Sequence, residues 1–234
     1  MSNLYVVMPA YNEAENIESV VREWYPVLKL AGPDSRLVIA DGGSKDVTHE
    51  ILLSLKEEFP LLETLDTKRP EHGPKLVALY NYAIDNGADL VFQTDSDGQT
   101  TPSEFPDFLE AIKDNDAVIG FRKVRGDGAS RAFVEKIVCL LLRVIFGVNV
   151  PDANAPFRLM KTELLKKYMG RFADDYNLPN IMLTTFFAHY KEKVAFKEIT
   201  FKPRTKGTSS LNVKKITLIG LKALKDFKAF KKGL

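Results

Sequence analysis

The 234-residue chain has a single cysteine and no apolar run long enough to cross a bilayer. Cys139 lies within the apolar run 138–142, so the sequence offers neither a disulfide framework nor a multi-cysteine metal site. The longest apolar stretch, 137–150, is interrupted by Arg143 and falls short of the roughly 20 residues that a spanning helix needs. No charged segment followed by an apolar stretch and a cleavage site opens the chain. We therefore expect a cytoplasmic protein that does not cross a membrane by itself.

Two common nucleotide-binding signatures are also absent. The sequence contains no GxxxxGK[ST] loop, and no GxGxxG segment follows a predicted strand. ATPase and NAD-dependent activities therefore lose most of their support. With 45% apolar and 27% charged residues, the composition is that of one large globular domain rather than a disordered chain.

The net charge of +2 conceals an asymmetry between the body and the end of the chain. Residues 202–234 hold ten Lys or Arg against one acid, which leaves 23 basic and 30 acidic residues before them. Attraction to anionic lipid, attraction to nucleic acid and a simple solvated helix face all fit such a block. Because its polar side carries no aromatic residues that stack on bases, we favour lipid over nucleic acid.

The first half of the chain alternates short β-branched apolar runs with amphipathic stretches, a pattern typical of strands joined by crossover helices around a mostly parallel sheet. The predicted strands are 4–8, 37–40, 62–65, 90–94, 117–121 and 194–201. The predicted helices are 13–30, 45–59, 75–86, 102–113, 131–147, 178–190 and 213–232. The last of them has an apolar arc that suits a membrane surface or the groove of a partner.

Polar segments follow the first two predicted strands, where α/β sheets bind their ligands. Strand one runs into the segment 9–13, whose aromatic ring and carboxylate suit a nucleobase or ribose. The same segment also fits an ordinary helix start with Asn12 as the cap. Strand two ends in the segment 41–48, where two glycines permit close backbone approach and Asp41 is placed to accept hydrogen bonds from a base or ribose.

The strongest signal follows the predicted strand 90–94. Asp95 and Asp97 stand two residues apart where an extended chain meets a loop, and their hard oxygens suit Mg²⁺ or Mn²⁺. A metal there would bridge the phosphates of a nucleotide sugar and neutralise the charge that builds as the glycosidic bond breaks. A lone pair of this spacing is common in solvated turns, but this one follows a buried strand and stands beside two other polar strand ends.

Together, the segments 9–13, 41–48 and 95–99 resemble the signatures of family 2 glycosyltransferases. The resemblance covers about residues 4–212. Three further segments resemble the acceptor-side motifs of the dolichyl- and polyprenyl-phosphate sugar transferases: 117–122, 152–158 and 201–210.

The resemblance implies an α/β fold of the GT-A type, a nucleotide-sugar-binding fold with a mostly parallel central sheet flanked by helices. It implies one glycosyltransferase domain over 1–211, with a donor half at about 1–121 and an acceptor half at about 122–211. A basic amphipathic C-terminal helix over 212–234 would follow this domain.

The resemblance also implies roles for individual residues. The UDP- or GDP-sugar donor would be contacted by Pro9, Ala10, Tyr11, Glu13, Asp41, Gly43, Ser44, Lys75, Asp95 and Ser96. The divalent cation, Mg²⁺ or Mn²⁺, would be held by Asp95, Asp97 and Gln99. The acceptor phosphate would be bound by Arg122, Arg131, Arg204, Lys206 and Ser209. The residues implied in catalysis are Asp97, Asp152 and Arg122.

The expected reaction is the transfer of one sugar to a polyprenyl phosphate with inversion of configuration, since an ionised phosphate attacks without a strong base. If the acceptor is instead a saccharide or protein hydroxyl, Asp152 is the obvious base. Two alternatives for Asp152 are that it only orients the acceptor or an arginine, and that its role is purely structural. A catalytically silent nucleotide-sugar-binding protein is a third alternative. It is motivated by Gly42, which replaces a second acid, and by Pro156, which stands where the family usually has glycine.

The QxxRW motif of processive polysaccharide synthases is absent, which favours one sugar per cycle. Many members of the family carry transmembrane helices after this domain. Here the basic tail and the predicted helix 131–147 are the segments available for membrane contact. We therefore expect peripheral binding to anionic lipid at the inner face of the membrane, no nucleic-acid partner, and an oligomeric state that the sequence leaves open.

Overall fold

The computed structural model describes residues 1–123, 129–204 and 213–232, and the side chains of all these residues except 129–130 and 213–222. Seven strands form one sheet in the order β3-β2-β1-β4-β6-β5-β7. They are β1 (Leu4–Ala10), β2 (Arg36–Asp41), β3 (Leu62–Asp66), β4 (Leu90–Thr94), β5 (Ala117–Phe121), β6 (Phe157–Lys161) and β7 (Val194–Glu198). The pairs are parallel except those of β6, which runs antiparallel to β4 and to β5.

Eight α-helices lie within the described ranges. They are α1 (Ile17–Trp24), α2 (Thr48–Glu58), α3 (His72–Asp85), α4 (Phe105–Ala111), α5 (Ala129–Phe146), α6 (Thr162–Met169), α7 (Pro179–His189) and α8 (Val213–Lys232). Short 3₁₀ turns at Tyr25–Leu30 and Pro102–Glu104 extend α1 and precede α4.

A hydrophobic core covers each face of the sheet. Alternate residues of a strand point to opposite faces, so Val6 of β1 packs with α1, α2 and α4, while Val7 packs with α3, α6 and α7. Because β1 and β2 are buried on both faces, their residues 4–8 and 37–40 are continuous apolar runs rather than alternating ones. This confirms the predicted α/β sheet and the six strands that the sequence indicates, the last of which ends at Glu198 rather than at residue 201.

Strand β6 and helix α6 were not predicted from the sequence. The five residues of β6 include Arg158 and Lys161, which interrupt the apolar pattern that marks the other strands. Arg158 is nevertheless fully buried, and its guanidinium donates to the carbonyls of Ala155 and Asn180 at 3.1 Å. These backbone acceptors solvate the guanidinium, which allows a basic residue to occupy a central strand.

Helix α8 has the bounds that the sequence predicts, but the described part of its apolar arc packs on the domain itself. Ala223 and Phe227 are buried, and the ring of Phe227 lies 6.0 Å from that of Phe146 in α5. The ring of Phe230 contacts those of Phe172, Tyr176 and Phe186. The expectation that this arc faces a membrane or a partner is therefore wrong at these three positions. Among the described helices, none combines the length and the hydropathy that crossing a membrane requires.

Candidate active site

The carboxyl ends of the parallel strands meet at one edge of the sheet. Ala10 at the end of β1 is in register with Asp41, which is in register with Asp66 at the end of β3. Asn12 joins the segments that follow β1 and β2: its N–H donates to Ser44 Oγ at 3.0 Å, and its Oδ1 accepts from the N–H of Lys45 at 2.7 Å. These reciprocal bonds hold the two polar segments together as one surface.

Asp41 lies at the wall of a polar cavity of about 280 Å³ at this edge. The Ser44 hydroxyl donates to Asp41 Oδ1 at 2.5 Å, and Nδ1 of His49 is 3.4 Å from Oδ2. The cavity is lined by Asp41, Gly43, Ser44, His49 and Asp66. Its acceptor oxygens suit the N–H groups of a nucleobase or the hydroxyls of a ribose.

Gly42 departs from the family's pattern for a steric reason. A Cβ at this position would lie 2.2 Å from Thr67 Oγ1 and 2.7 Å from the carbonyl oxygen of Arg69. The segment after β3 thus fills the space that a second acid would need. Pro156, the other departure, is buried directly before β6, whose first residue Phe157 is in register with Thr94 at the end of β4.

Lys75 is buried beneath the first strand end. Its Nζ donates to the carbonyl oxygen of Ala10 and lies 5.1 Å from the centre of the Tyr11 ring. Burial lowers the pKa of Lys75 to about 8, although the charges of Asp41 and Glu71 oppose the decrease. The lysine therefore fixes the backbone of the segment that carries Tyr11 and places cationic character near Asp41.

The two acids after β4 are held by different partners. Asp95 Oδ1 accepts a hydrogen bond from Nε2 of Gln93 at 3.2 Å and lies 3.1 Å from Nε2 of His72. Asp97 Oδ1 accepts a hydrogen bond from the backbone N–H of Gln99 at 3.2 Å. The Ser96 hydroxyl donates to the carbonyl of Pro9 at 2.8 Å and ties this loop to the first strand end. The predicted donor-side residues of β1, β2 and β4 are thus brought together.

Negative charge accumulates around Asp97. Burial raises the pKa of Asp97 to about 6, and the charges of Asp95 and Glu13 act in the same direction. Such crowding favours a cation. Within the described residues, however, no group of three or more His, Cys, Asp or Glu is arranged to hold a metal ion. Gln99, predicted as a ligand, donates from Nε2 to the carbonyl of Lys202 at 2.7 Å.

Arg204, predicted at the acceptor phosphate, contacts donor-side acids instead. Its Nη2 lies 2.7 Å from both carboxylate oxygens of Glu13, and its Nη1 lies 3.9 Å from Asp97 Oδ2. Burial raises the pKa of Glu13, although the hydrogen bond from Asn16 and the charge of Arg204 oppose the increase. The N–H of Lys202 donates to the carbonyl of Gln99 at 2.8 Å, which fixes this segment over the acids.

Arg122 and Asp152 form a buried ion pair on the acceptor side. Nε of Arg122 donates to Asp152 Oδ2 at 2.7 Å, and Nη2 donates to Oδ1 at 2.9 Å, while the two side chains are only 5% and 3% exposed. The guanidinium also lies 5.1 Å from the centre of the Phe201 ring. Because both oxygens of Asp152 accept from Arg122, the carboxylate orients this arginine rather than standing open as a base.

Arg131 lies in the first turns of α5 and is partly exposed. Lys206 and Ser209 lie outside the described residues.

Sequence reasoning missed a buried chain of hydrogen bonds that ends at Asp95. The Tyr80 hydroxyl donates to Asn180 Oδ1 at 2.6 Å, and Asn180 Nδ2 donates to Gln93 Oε1 at 2.9 Å. Gln93 then donates to Asp95, which His72 contacts from the start of α3. A polar Gln93 inside an otherwise apolar strand was the only signal in the sequence, because its partners lie far away along the chain.

The sequence model described as glycosyl transferase family 2 matches residues 5–169. The undecaprenyl-phosphate mannosyltransferase of Micrococcus luteus is 28% identical over 166 residues, which cover 68% of this chain and 67% of that protein. The polyprenol monophosphomannose synthase of Mycolicibacterium smegmatis is 26% identical over 170 residues, covering 69% of this chain and 63% of that protein. The dolichyl-phosphate β-glucosyltransferase of Trichomonas vaginalis is 27% identical over 177 residues, covering 70% and 54%. The chain thus spans about half to two thirds of the length of these relatives.

Solved structures resemble the whole described fold. The glucosyl-3-phosphoglycerate synthase from Mycobacterium tuberculosis, in complex with Mn²⁺, UDP-glucose and phosphoglyceric acid, superposes with a TM-score of 0.73 at 20% identity. The match covers 100% of this chain and 80% of that one. It confirms the expected GT-A type of fold.

Proposed function

The chain belongs to glycosyltransferase family 2, and we propose that it transfers one sugar from a nucleotide diphosphate sugar to a polyprenyl phosphate. The relatives described above are named for undecaprenyl, polyprenol or dolichyl phosphates, which supports the acceptor class. The single observation that carries the proposal is that Arg204 lies 3.9 Å from Asp97, in the loop that also carries Asp95, at the strand ends. Carboxylates that suit a metal ion and a guanidinium that suits a phosphate thus lie next to each other.

The donor binds along the ends of β1, β2 and β4. Asp41 and the polar cavity beside it accept hydrogen bonds from the base or ribose. We assign Tyr11 to the same donor surface, together with Lys75, which is buried against the Tyr11 ring. Pro9, Ala10 and Gly43 supply backbone between them, and Ser96 holds the loop after β4 to this surface through its bond to the Pro9 carbonyl. The choice between UDP and GDP depends on this cavity and on the neighbouring Gly42, where Thr67 and Arg69 occupy the space of the family's second acid.

A divalent cation, Mg²⁺ or Mn²⁺, fits the hard carboxylate oxygens of Asp95 and Asp97. When bound, it would neutralise the charge on the diphosphate leaving group. Two carboxylates do not complete the coordination of such a cation, so phosphate oxygens of the donor and water would supply the remaining ligands. Gln99 fixes the loop through Lys202 and lies beside this set.

The acceptor phosphate binds to Arg204 and to Arg122, which Asp152 holds in a fixed orientation. Arg131 and, in the segment that follows Arg204, Lys206 and Ser209 complete this proposed set. A phosphate oxygen forms a bond to the anomeric carbon while the bond from that carbon to the diphosphate oxygen breaks. The nucleoside diphosphate leaves with the electron pair, and one displacement inverts the configuration. An ionised phosphate needs no base, which agrees with the engagement of both Asp152 oxygens.

The lipid acceptor places the protein at a membrane, and we propose peripheral contact with anionic lipid at the inner face. Lys225, Lys228, Lys231 and Lys232 of α8 are exposed. Each basic residue near an anionic surface contributes about 1 kcal/mol of attraction.

The deciding assay incubates the purified full chain with radiolabelled UDP- and GDP-sugars, undecaprenyl phosphate and Mn²⁺. A labelled lipid that disappears with chelator is expected. Asp97→Asn should lose this product and weaken metal-dependent nucleotide binding by about tenfold or more, as loss of metal-site residues does. Asp107→Asn is the matched control, because Asp107 is an exposed acid on α4. Failure to form a lipid product with any donor, or nucleotide binding that ignores both chelator and the Asp97 change, would contradict the proposal.

A further inference from the structure

One face of α5 exposes a row of large apolar side chains. Phe133 is 64% exposed, Ile137 41%, Leu140 59% and Val144 74%. Their spacing places them on one face of the helix, where they extend over about 16 Å at 1.5 Å per residue. We call these four residues the α5 stripe. An apolar row of this kind, bordered by polar residues, marks a surface that contacts another apolar phase.

The charges around the stripe have one sign. Lys136 and Arg143 are exposed on α5 between members of the stripe. Glu135 is the only acid in the helix, and its side chain is 15% exposed. Its Oε1 accepts from the N–H of Ala153 at 2.8 Å, so this carboxylate is turned into the protein. The outward face of α5 is therefore apolar and cationic, which complements an anionic lipid surface.

The same helix borders the acceptor side of the candidate active site. Glu135 Oε2 lies 3.9 Å from Nη2 of Arg122, the residue that Asp152 orients. The stripe and Arg122 are thus separated by about the 10 Å diameter of one helix. A membrane surface that binds the α5 stripe would therefore also keep Arg122 close to the lipid headgroups.

We infer that the α5 stripe inserts into the headgroup region of an anionic phospholipid bilayer and positions the site to receive a lipid phosphate. The positioning role rests on the proposed function, whereas the insertion does not. A second copy of the chain fits the stripe poorly. Pairing two α5 helices would bring Lys136 and Arg143 of both copies together with no exposed acid on the helix to match them.

Helices α5 and α8 divide the membrane contact between them. They pack together through Phe146 and Phe227, and the apolar positions Phe227 and Phe230 of α8 are covered by the domain. Helix α8 thus contributes exposed lysines that attract the surface, while α5 contributes the side chains that enter it.

Sedimentation with vesicles of phosphatidylglycerol and phosphatidylcholine, free of polyprenyl phosphate, tests the insertion. The full chain carrying Ile137→Ser and Leu140→Ser should partition onto these vesicles about tenfold less than the unchanged chain, since each exposed apolar side chain that enters lipid adds affinity. The matched control carries Leu30→Ser and Leu53→Ser, two leucines that are 47% and 49% exposed elsewhere on the surface. The control should partition like the unchanged chain. Equal partitioning of all three proteins, or an equal loss in both variants, would overturn the inference.

Light scattering tests the competing occupant. A dimer of the full chain that dissociates in the stripe variant, together with unchanged vesicle binding, would assign the stripe to a second copy and overturn the inference. Sugar transfer to a short-chain, water-soluble polyprenyl phosphate without vesicles separates this question from the proposed function. The stripe variant should retain that transfer at the unchanged rate. If the unchanged chain transfers nothing, the proposed function fails, while the vesicle result still decides the insertion.

Discussion

The guanidinium of Arg204 lies 2.7 Å from both carboxylate oxygens of Glu13, although 191 residues separate them in the chain. The pair joins a segment that the sequence assigns to the acceptor with one that it assigns to the donor. Because Arg204 also lies near Asp97, the arginine balances the negative charge of the donor side. Occupancy of the donor site and of the acceptor site should therefore be coupled through this residue.

Replacing Arg204 by alanine should lower kcat/KM for the lipid phosphate by about 10- to 100-fold, the loss expected for a charge-assisted hydrogen bond. Steady-state kinetics with varied acceptor measures this loss. Lys202→Ala is the matched control, because Lys202 is exposed and its described bonds to Gln99 use only its backbone. Equal effects of the two substitutions would argue against a phosphate-binding role for Arg204.

Asp152→Asn should weaken binding of the acceptor, because Asp152 orients Arg122. It should leave the pH profile of kcat unchanged. The reason is that both oxygens of Asp152 accept from Arg122, so the change loosens the guanidinium instead of removing a base. We expect a rise of about tenfold in KM for the acceptor and an unchanged KM for the donor. If kcat instead falls by about 100-fold or more and the residual rate loses the acidic limb of its pH profile, Asp152 is the base for a hydroxyl acceptor.

The buried Lys75 predicts a pH dependence of stability. Its folded-state pKa is about 8, below the ordinary value of 10.5, so between these values the unfolded chain binds more protons than the folded one. The free energy of unfolding contributed by Lys75 should therefore rise as the pH increases from about 8 to about 10.5. Urea unfolding at several pH values should show the unchanged chain gaining stability relative to Lys75→Met in this window. A constant difference between the two proteins would contradict the prediction.

Gly42→Ala should destabilise the fold, because the new Cβ would approach Thr67 Oγ1 and the Arg69 carbonyl too closely. Overpacking of this kind costs about 1–3 kcal/mol. Gly170→Ala is the matched control, since a Cβ at Gly170 meets no atom within 4 Å. Urea unfolding of both variants measures the difference. If Gly42→Ala is as stable as Gly170→Ala, the segment 67–69 does not exclude a side chain from this position.

Local patterns were sufficient for six of the seven strands but not for β6. The strands β1, β2 and β4 are mostly apolar and end in polar segments, and parallel pairing then requires their ends to meet. Strand β6 could not be predicted, because Arg158 becomes acceptable in a strand only through carbonyl acceptors supplied by other parts of the fold. The contact of His72 with Asp95 was equally invisible, since it depends on where α3 begins relative to the end of β4.

By itself, the sequence determined the α/β class, the acids at the ends of β1, β2 and β4, and the existence of two helices with apolar faces, α5 and α8. Periodicity and residue type are local properties, which is why they can be read directly. The tertiary structure alone decided that Arg204 meets Glu13, that Asp152 is committed to Arg122, and which helix keeps its apolar face exposed. A pattern shows that a helix face is apolar, but only the packing of distant segments decides what covers it: Phe227 of α8 lies against Phe146, whereas Leu140 of α5 remains in solvent.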